Sequence, residues 1–589
     1  MADDLHTPLV AFQEMKDSDS KCEDTNVPDL KTAKKVIEEL GHPFQLQQLI
    51  NNGDREKFNQ YLYAVVEIQQ SINSGLVTGY ETHGSRAIKS LHLVFRGILD
   101  CSISANTSSD PSSSSLYSSG VPSTYSYELQ GRNRTCEYEL SSEKIYYLRS
   151  IVEKLNAIEC LGDCIDVYKN LRRSAVDAKY QWFRIGKWTA TDLQKLDSRQ
   201  FAAKINIWIQ VAKIFYDGFF VGERLSFEQI FKGVTAATYH NCFVPIVEHV
   251  AVELNNFASA VSSIASFQNL FPVLDLYSAL GVILPDILIM FSTSWTINIS
   301  QGAINIQRSL LTLVGKLLCS FEDTVQNELS TALLPEGTVH FLTAYAMEYV
   351  TKISLHKELL RYMIESPTKS LGNQADDQFL NSAGGTPLAL RVVWIIISLR
   401  INLERKSSHY RDAWCRYVFV TTNVNYIINT ITSSPELLDL IGEEYSSKLS
   451  TYIAQARQDY SSTIWDRVLY CLRDDGLKHK FLFYNRISRN SVKNRFKTFN
   501  TTFEEACQSQ CKLFVPDIDI DSQFHMLILS KLLPAYKIFL EKYSSHLQSE
   551  KYKERCIKYS SEDLQSKIQT LFTEKLIVHN GTEENLMIP

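Results

Sequence analysis

The chain has 589 residues, of which 44% are hydrophobic and 21% charged, and its formal net charge is -6. That length exceeds what one hydrophobic core serves, since single cores stop growing near roughly 250–300 residues. The acidic balance excludes attachment to nucleic acid or membrane by bulk attraction, so any anion site must be a local patch. Gly (23) and Pro (15) are sparse, where average usage would give roughly 41 and 29. Few breakers favour long helices over many-stranded sheets.

Residues 1–30 carry Asp3, Asp4, Glu14, Asp17, Asp19, Glu23 and Asp24 and read as a disordered acidic tail. MADDLHTPLV lacks a basic-then-apolar start, so no secretory signal is expected, and the 12 Cys read as reduced thiols of a cytosolic chain. A helical coil is expected over 31–100. Lys31–Leu40 is closed by Gly41 and Pro43, and Asp54 caps a helix with Phe58, Tyr61, Leu62, Val65 and Ile72 on one face. Ile88, Leu91, Phe95, Ile98 and Leu99 form the next stripe. Residues 101–141, with SSDPSSSSLYSSGVPS, lack apolar content and read as a flexible linker.

Helical periodicity dominates from 142 to 572. Ser142 is expected to cap a helix bearing Ile145, Leu148, Val152 and Leu155. Ile205, Trp208, Ile209, Ala212, Tyr216 and Phe219 follow helical spacing, as do Phe496, Phe499, Phe503 and Cys507. Ile364–Gly385 reads as a loop, with Pro387 opening the next helix. No sustained two-residue alternation suggests a sheet. No apolar run is expected to reach the ~20 residues that span a bilayer: Val392–Leu399 is bracketed by Arg391 and Arg400, and Val282–Phe291 contains Pro285 and Asp286. The expected fold is all-α, an elongated rod of stacked helical hairpins without a fixed repeat, followed by a tail over 573–589.

Catalytic signals are weak, and no enzyme activity, cofactor or metal is expected. No phosphate-binding glycine loop, nucleophile elbow or H-E-x-x-H occurs. Cys160/Cys164 and Cys507/Cys511 each offer two ligands where zinc takes four. Cys242 with His240 and His249 lacks a third orienting group and reads as packing. Asp474-Asp475 before Gly476 reads as a helix end. Trp465-Asp466-Arg467-Val468 fits an aromatic-x-x-aliphatic motif but lies in a helical stripe.

One charge asymmetry stands out. Lys478, Lys480, Arg486, Arg489, Lys493, Arg495 and Lys497 occur with no Asp or Glu between Gly476 and Asn500. Lys551, Lys553, Arg555 and Lys558 form a second cluster, diluted by Glu554. A solvated charged face is the ordinary explanation. An anionic-lipid patch is the functional one, at roughly 1 kcal/mol per Lys or Arg. Nucleic acid is disfavoured because no binding module accompanies the patch.

Several segments resemble, in order, the seventy-kilodalton subunit of the exocyst vesicle-tethering complex, plant branch. They are Leu274–Leu280 with Leu284–Ile287, Leu403–Asp412 with Asn423–Ile428, Arg495–Asn500, Val515–Asp517, Pro534–Tyr536 and Ile557–Tyr559. The resemblance implies a helical rod and an N-terminal coil that joins other exocyst subunits. It also implies a C-terminal end that binds phosphatidylinositol bisphosphate, at Arg555 and Lys558 by position. Small GTPases are further implied partners, and the implied location is cytoplasmic, peripheral to the plasma membrane. Arg555-Cys556 replaces the family's Lys-Tyr, the coil is short and the tail long. A divergent paralogue acting outside the complex, as an adaptor in defence or autophagy-related trafficking, is the alternative reading.

Overall fold

The structure, a computed structural model, describes residues 30–75, 79–107, 140–264, 266–292, 296–330, 338–364, 385–411, 413–481, 484–510, 518–547 and 555–571. The expected loop at 364–385 and both expected tails lie almost wholly outside the described residues, as do Lys551 and Lys553. The chain forms two compact units. One comprises the described residues up to Ser262 together with Asp275–Arg308; the other comprises Ser263–Leu274 and those from Ser309 onward.

The first unit begins with α1 (Leu30–Leu40), α2 (Pro43–Asn51), α3 (Arg55–Asn73) and α4 (Glu81–Thr107). Asp54 caps α3 by accepting from the Lys57 amide at 3.1 Å. Gly41 follows α1 where a Cβ would lie 2.2 Å from the Ile37 carbonyl oxygen, so only glycine fits that close approach. Phe58, Tyr61, Leu62 and Val65 are buried, as are Leu91, Phe95, Ile98 and Leu99. These stripes pack against α5 (Ser142–Ala157) and α6 (Gly162–Trp182). Phe58 meets Tyr147 edge-on at 5.1 Å, and Asn59 Nδ2 donates to Tyr146 Oη at 3.0 Å. Ser141, not Ser142, caps α5 by accepting from the Lys144 amide at 3.3 Å. The two serines are adjacent, so spacing alone does not choose between them.

After α7 (Ala190–Gln194), α8 (Ser198–Lys213) runs through a π-helical turn at Ile214–Phe219 into α9 (Phe220–Ile230). The wider turn shifts the apolar stripe by one position. Ile205, Trp208, Ala212 and Tyr216 are buried as spaced, but Phe220 replaces Phe219 as the next buried residue. α10 (Ala236–Val261) packs along α6, and Trp208 Nε1 donates to the Leu254 carbonyl at 3.0 Å. Arg172 of α6 and Glu223 of α9, both almost fully buried, form a two-pronged pair, with Nε to Oε2 at 3.0 Å.

α11 (Leu270–Met290), led in by a 3-10 turn at Phe267–Asn269, belongs partly to each unit. Phe267–Met290 is long and apolar enough, by length and composition, to cross a membrane. That corrects the expectation that no apolar run reaches such length. Pro285 and Asp286 do not break the helix, and Ile283 and Ile287 on either side of them are buried core.

In the second unit Phe321 of α12 (Ile297–Asn327) stacks on Tyr349 of α13 (Phe341–Leu355), ring centroids 3.8 Å apart. α13 packs against α15 (Pro387–Ser407), α16 (Ala413–Ser433) and α17 (Pro435–Ile441), after a short α14 (Lys357–Leu360). Pro387 is the first residue of α15, capped by Thr386. The segment around Leu403 has a structural task. Asn402 Nδ2 reaches the carbonyls of Val325, Gln326 and Glu328 at 3.0–3.1 Å, and Lys406 Nζ donates to Ser330 O at 2.6 Å. These donors satisfy carbonyls that the end of α12 leaves without helical partners.

α18 (Glu443–Tyr470) lies beside α16, and its Trp465 and Val468 are buried, so the aromatic-x-x-aliphatic segment is core. A two-stranded hairpin follows, β1 (Lys478–Phe481) paired antiparallel with β2 (Tyr484–Ile487). It corrects the expectation of no strand pairing; strands of four residues are too short to announce a two-residue period. α19 (Arg489–Gln510), α20 (Ile518–Tyr543) and α21 (Ser561–Gln569) complete the unit. The chain is thus all-α, apart from one short ribbon among the described residues.

Replacing Arg172 by Met leaves Glu223 buried without its cation and should lower stability by about 3–5 kcal/mol, read from urea unfolding. Arg172→Met/Glu223→Leu should recover most of that loss; equal destabilisation by both would show that the pair is not responsible.

Candidate anion-binding site

α19 is built on Val492, Phe496, Phe499, Phe503 and Cys507, all buried. Phe499 stacks on Tyr536 of α20 at 4.8 Å, and Phe496 meets Phe539 at 5.1 Å. At about 3.6 residues per turn, Arg489, Lys493, Lys497, Asn500 and Glu504 follow one another down a single flank of this stripe. Arg489 and Lys497 are exposed and Lys493 half-buried.

The lower part of that flank holds the segment before α21. Asn500 Nδ2 donates to the Cys556 carbonyl at 2.9 Å. Tyr536 Oη donates to the Tyr559 carbonyl at 2.7 Å, and the buried Tyr559 ring meets Phe503 edge-on at 5.3 Å. Arg555 and Lys558 are thereby fixed in the open beside α19. Lys558 Nζ donates to Glu504 Oε1 at 2.5 Å, and Tyr559 Oη donates to the same oxygen at 2.7 Å. Ser560 caps α21 in a reciprocal capping box with Asp563, and Lys567 emerges from that helix. The ammonium groups of Lys558 and Lys567 stand 5.6 Å and 5.4 Å from the Tyr559 ring centroid. Hydrogen bonds from Lys558 and Tyr559, with the nearby charge of Lys567, hold the Glu504 carboxyl below its ordinary value of 4.5. Burial pushes the Tyr559 hydroxyl far up, so it remains a donor.

The sequence-predicted cations divide accordingly. Lys493, Lys497, Arg555 and Lys558 run along or beside one flank of α19, with Arg489 at its start. Arg495 falls on the other flank, where its guanidinium donates to the carbonyls of Tyr470 and Asp475 and caps the end of α18. Lys478 and Lys480 lie on β1 and Arg486 on β2, with Arg486 set opposite His479 in the register. That ribbon sits at the start of α19, about 16 Å of helix from Asn500. Lys567 and Glu504 escaped the sequence reading. The signal for Lys567 was only its place one short helix beyond Ile557-Lys558-Tyr559.

The other candidates resolve into structural contacts. Burial pushes the Cys242 thiol up to about 12, and it donates to the Ile165 carbonyl. His249 Nδ1 lies 2.8 Å from Asp177. Cys164 is likewise pushed up to about 12. Asp474 is taken by Lys542 and by Tyr543 Oη at 2.7 Å. Among the described residues no group of three or more His, Cys, Asp or Glu could hold a metal ion.

The described residues form a helical body, apart from one short ribbon, with a row of cations along one flank of α19. The sequence model described as the C-terminal part of the Exo70 exocyst complex subunit matches residues 206–570, more than half of the chain. The chain therefore belongs to the Exo70 family of exocyst complex subunits, on its plant branch. Among Arabidopsis thaliana relatives it is similar to exocyst complex component EXO70C2, 26% identical over 435 residues, 73% of this chain and 60% of that one. EXO70C1 is 26% identical over 451 residues, 74% and 67% of the two chains, and EXO70A1 26% over 418, 70% and 64%. The chain thus spans about 60–67% of the length of these relatives. The crystal structure of the S. cerevisiae exocyst component Exo70p covers 92% of this chain and 100% of its own at a TM-score of 0.55, with 14% identity, and so shares the fold.

The Glu504 carboxyl is depressed in the folded state, so the stability it contributes is present above about pH 4.5 and is lost as pH falls through the folded value. Glu504→Gln should flatten the stability–pH curve below that point while leaving its slope between pH 6 and 8 unchanged, as measured by thermal unfolding across pH.

Proposed function

We propose that this chain is a tethering subunit that works by simultaneous attachment, its C-terminal cations to phosphatidylinositol bisphosphate and the remainder to other exocyst subunits. In this reading it brings secretory vesicles to the plasma membrane, to which it is bound peripherally from the cytoplasmic side. Small GTPases are further partners of the same kind. The observation that carries the lipid half is the convergence of Lys558 and Lys567 on Tyr559 beside the Lys493–Lys497 flank, with the exposed Arg555 next to Cys556, whose carbonyl Asn500 holds. The Exo70 relationship supports the exocyst half. No catalytic step is required, because two weak attachments on one body multiply through effective concentration.

The residues suit the chemistry. A phosphomonoester presents several acceptor oxygens and more than one negative charge. Arg555 offers a planar fork for paired donation, and Lys558 and Lys567 offer compact charges. At roughly 1 kcal/mol each, Arg555 and Lys558 together account for about a thirtyfold change in affinity. Lys478, Lys480, Arg486, Arg489, Lys493, Lys497, Lys551 and Lys553 add the diffuse attraction of a wider basic surface in this proposal.

Arg555→Ala/Lys558→Ala should bind phosphatidylcholine vesicles containing phosphatidylinositol bisphosphate about thirtyfold more weakly than the unaltered chain in co-sedimentation. Undiminished binding would remove these residues from the site. A pull-down from native plant cytosol should retain other exocyst subunits; recovery of none would favour the adaptor role outside the complex.

A further inference from the structure

Glu504 is an unexpected neighbour for a phosphate site. It puts a carboxylate oxygen 2.5 Å from Lys558 Nζ and 2.7 Å from Tyr559 Oη, with Lys567 close enough to act on its charge. Two donors converging on one oxygen, with a further cation nearby, is the arrangement that a phosphate oxygen would call for. The cradle is half rigid and half open. Tyr559 is 8% exposed, held by Phe503 and by Tyr536. The side chains of Lys558 and Glu504 are 57% and 39% exposed, so a ligand can reach both and Glu504 can swing out to solvent.

We propose that Glu504 is an internal stand-in for the headgroup: its carboxylate fills the cradle of Lys558, Tyr559 and Lys567, and a phosphomonoester must displace it to bind. This inference rests on the lipid-binding reading above. It supplies a threshold that charge counting does not: every ligand of the cradle is weakened by the same factor, and only a strongly anionic one still binds. The tethered carboxylate competes at an effective concentration on the order of millimolar. A phosphodiester or a serine headgroup carries about one negative charge and gains little over Glu504. A phosphomonoester carries about -1.5 to -2 and brings several acceptor oxygens, so it wins the exchange. Glu504 thus raises the threshold against ordinary anionic lipids and leaves bisphosphorylated inositol lipids favoured. Because the carboxylate stays ionised well below neutral pH, any response of the exchange to acidification comes from the phosphomonoester's own second ionisation, at about pH 6, and not from Glu504.

The test uses the full chain and phosphatidylcholine vesicles carrying either phosphatidylinositol bisphosphate or enough phosphatidylserine to match its surface charge. Glu504→Gln should bind phosphatidylserine vesicles about fivefold more tightly, the effect of releasing one Lys at roughly 1 kcal/mol. Its gain on bisphosphate vesicles should be at least as large, because that ligand too must displace Glu504 in the unaltered chain. Glu505→Gln removes the same charge from the exposed neighbouring position and should raise binding to either vesicle little. Tyr559→Phe removes one cradle donor without altering charge and should weaken bisphosphate binding. Equal gains from Glu504→Gln and Glu505→Gln, or no gain from Glu504→Gln, would overturn the stand-in. Should Arg555→Ala/Lys558→Ala bind as well as the unaltered chain, the lipid reading itself fails and takes this inference with it. Loss of binding in that double variant beside an inert Glu504→Gln sinks the stand-in alone. Soluble inositol trisphosphate identifies the source: tighter binding to Glu504→Gln means the headgroup suffices, and a gain seen only on vesicles assigns the ligand to the membrane.

Discussion

Tyr559 is the contact on which the candidate site depends. Its ring is buried against Phe503, its carbonyl accepts from Tyr536, and its hydroxyl donates to Glu504. A single residue therefore ties the segment before α21 to both α19 and α20. Apolar burial places the segment, and the hydrogen bonds set its register. Without that anchor Arg555 and Lys558 would be cations on an exposed strand of chain, dispersed in space. With it they take fixed places beside the row that begins at Arg489. The proposed recognition of an anion would gain from such preorganisation, since long basic side chains otherwise lose rotamer freedom on binding.

The rest of the second unit follows a related logic. Every helix leaves carbonyls without partners at its end, and a body made of many helices has many such ends. Asn402, Lys406 and Arg405 meet this need at the end of α12, and Arg495 meets it at the end of α18. Charged residues that look like surface decoration in sequence are structural donors here. Arg495 shows the consequence: it stands in the middle of the basic run, yet its charge is directed at backbone carbonyls.

The buried thiols of Cys164 and Cys242 are held protonated, and the buried Arg172–Glu223 pair joins α6 to α9. Such a pair is weak evidence for stability in itself. In the proposed role the exposed charges act together, since each is worth little alone.

Helical class, scarcity of sheet, the Phe496–Phe503 stripe, the Asp54 cap and the start of α15 at Pro387 were all legible in the sequence. They follow from local spacing and from the chemistry of single residues, which a linear pattern records. The π-turn at Ile214–Phe219, the short hairpin and the continuation of α11 through Pro285 were not, because packing overrode local signals there. The basic run was visible as composition, but its division was not: helical phase sends Lys493 and Lys497 one way and Arg495 another. Lys567 and Glu504 entered the site only through the fold. The sequence by itself determined which residues carry charge and which must be buried. Tertiary structure decided which charges share a place, because long-range contacts such as Asn500 with Cys556 bring together residues that no local rule connects.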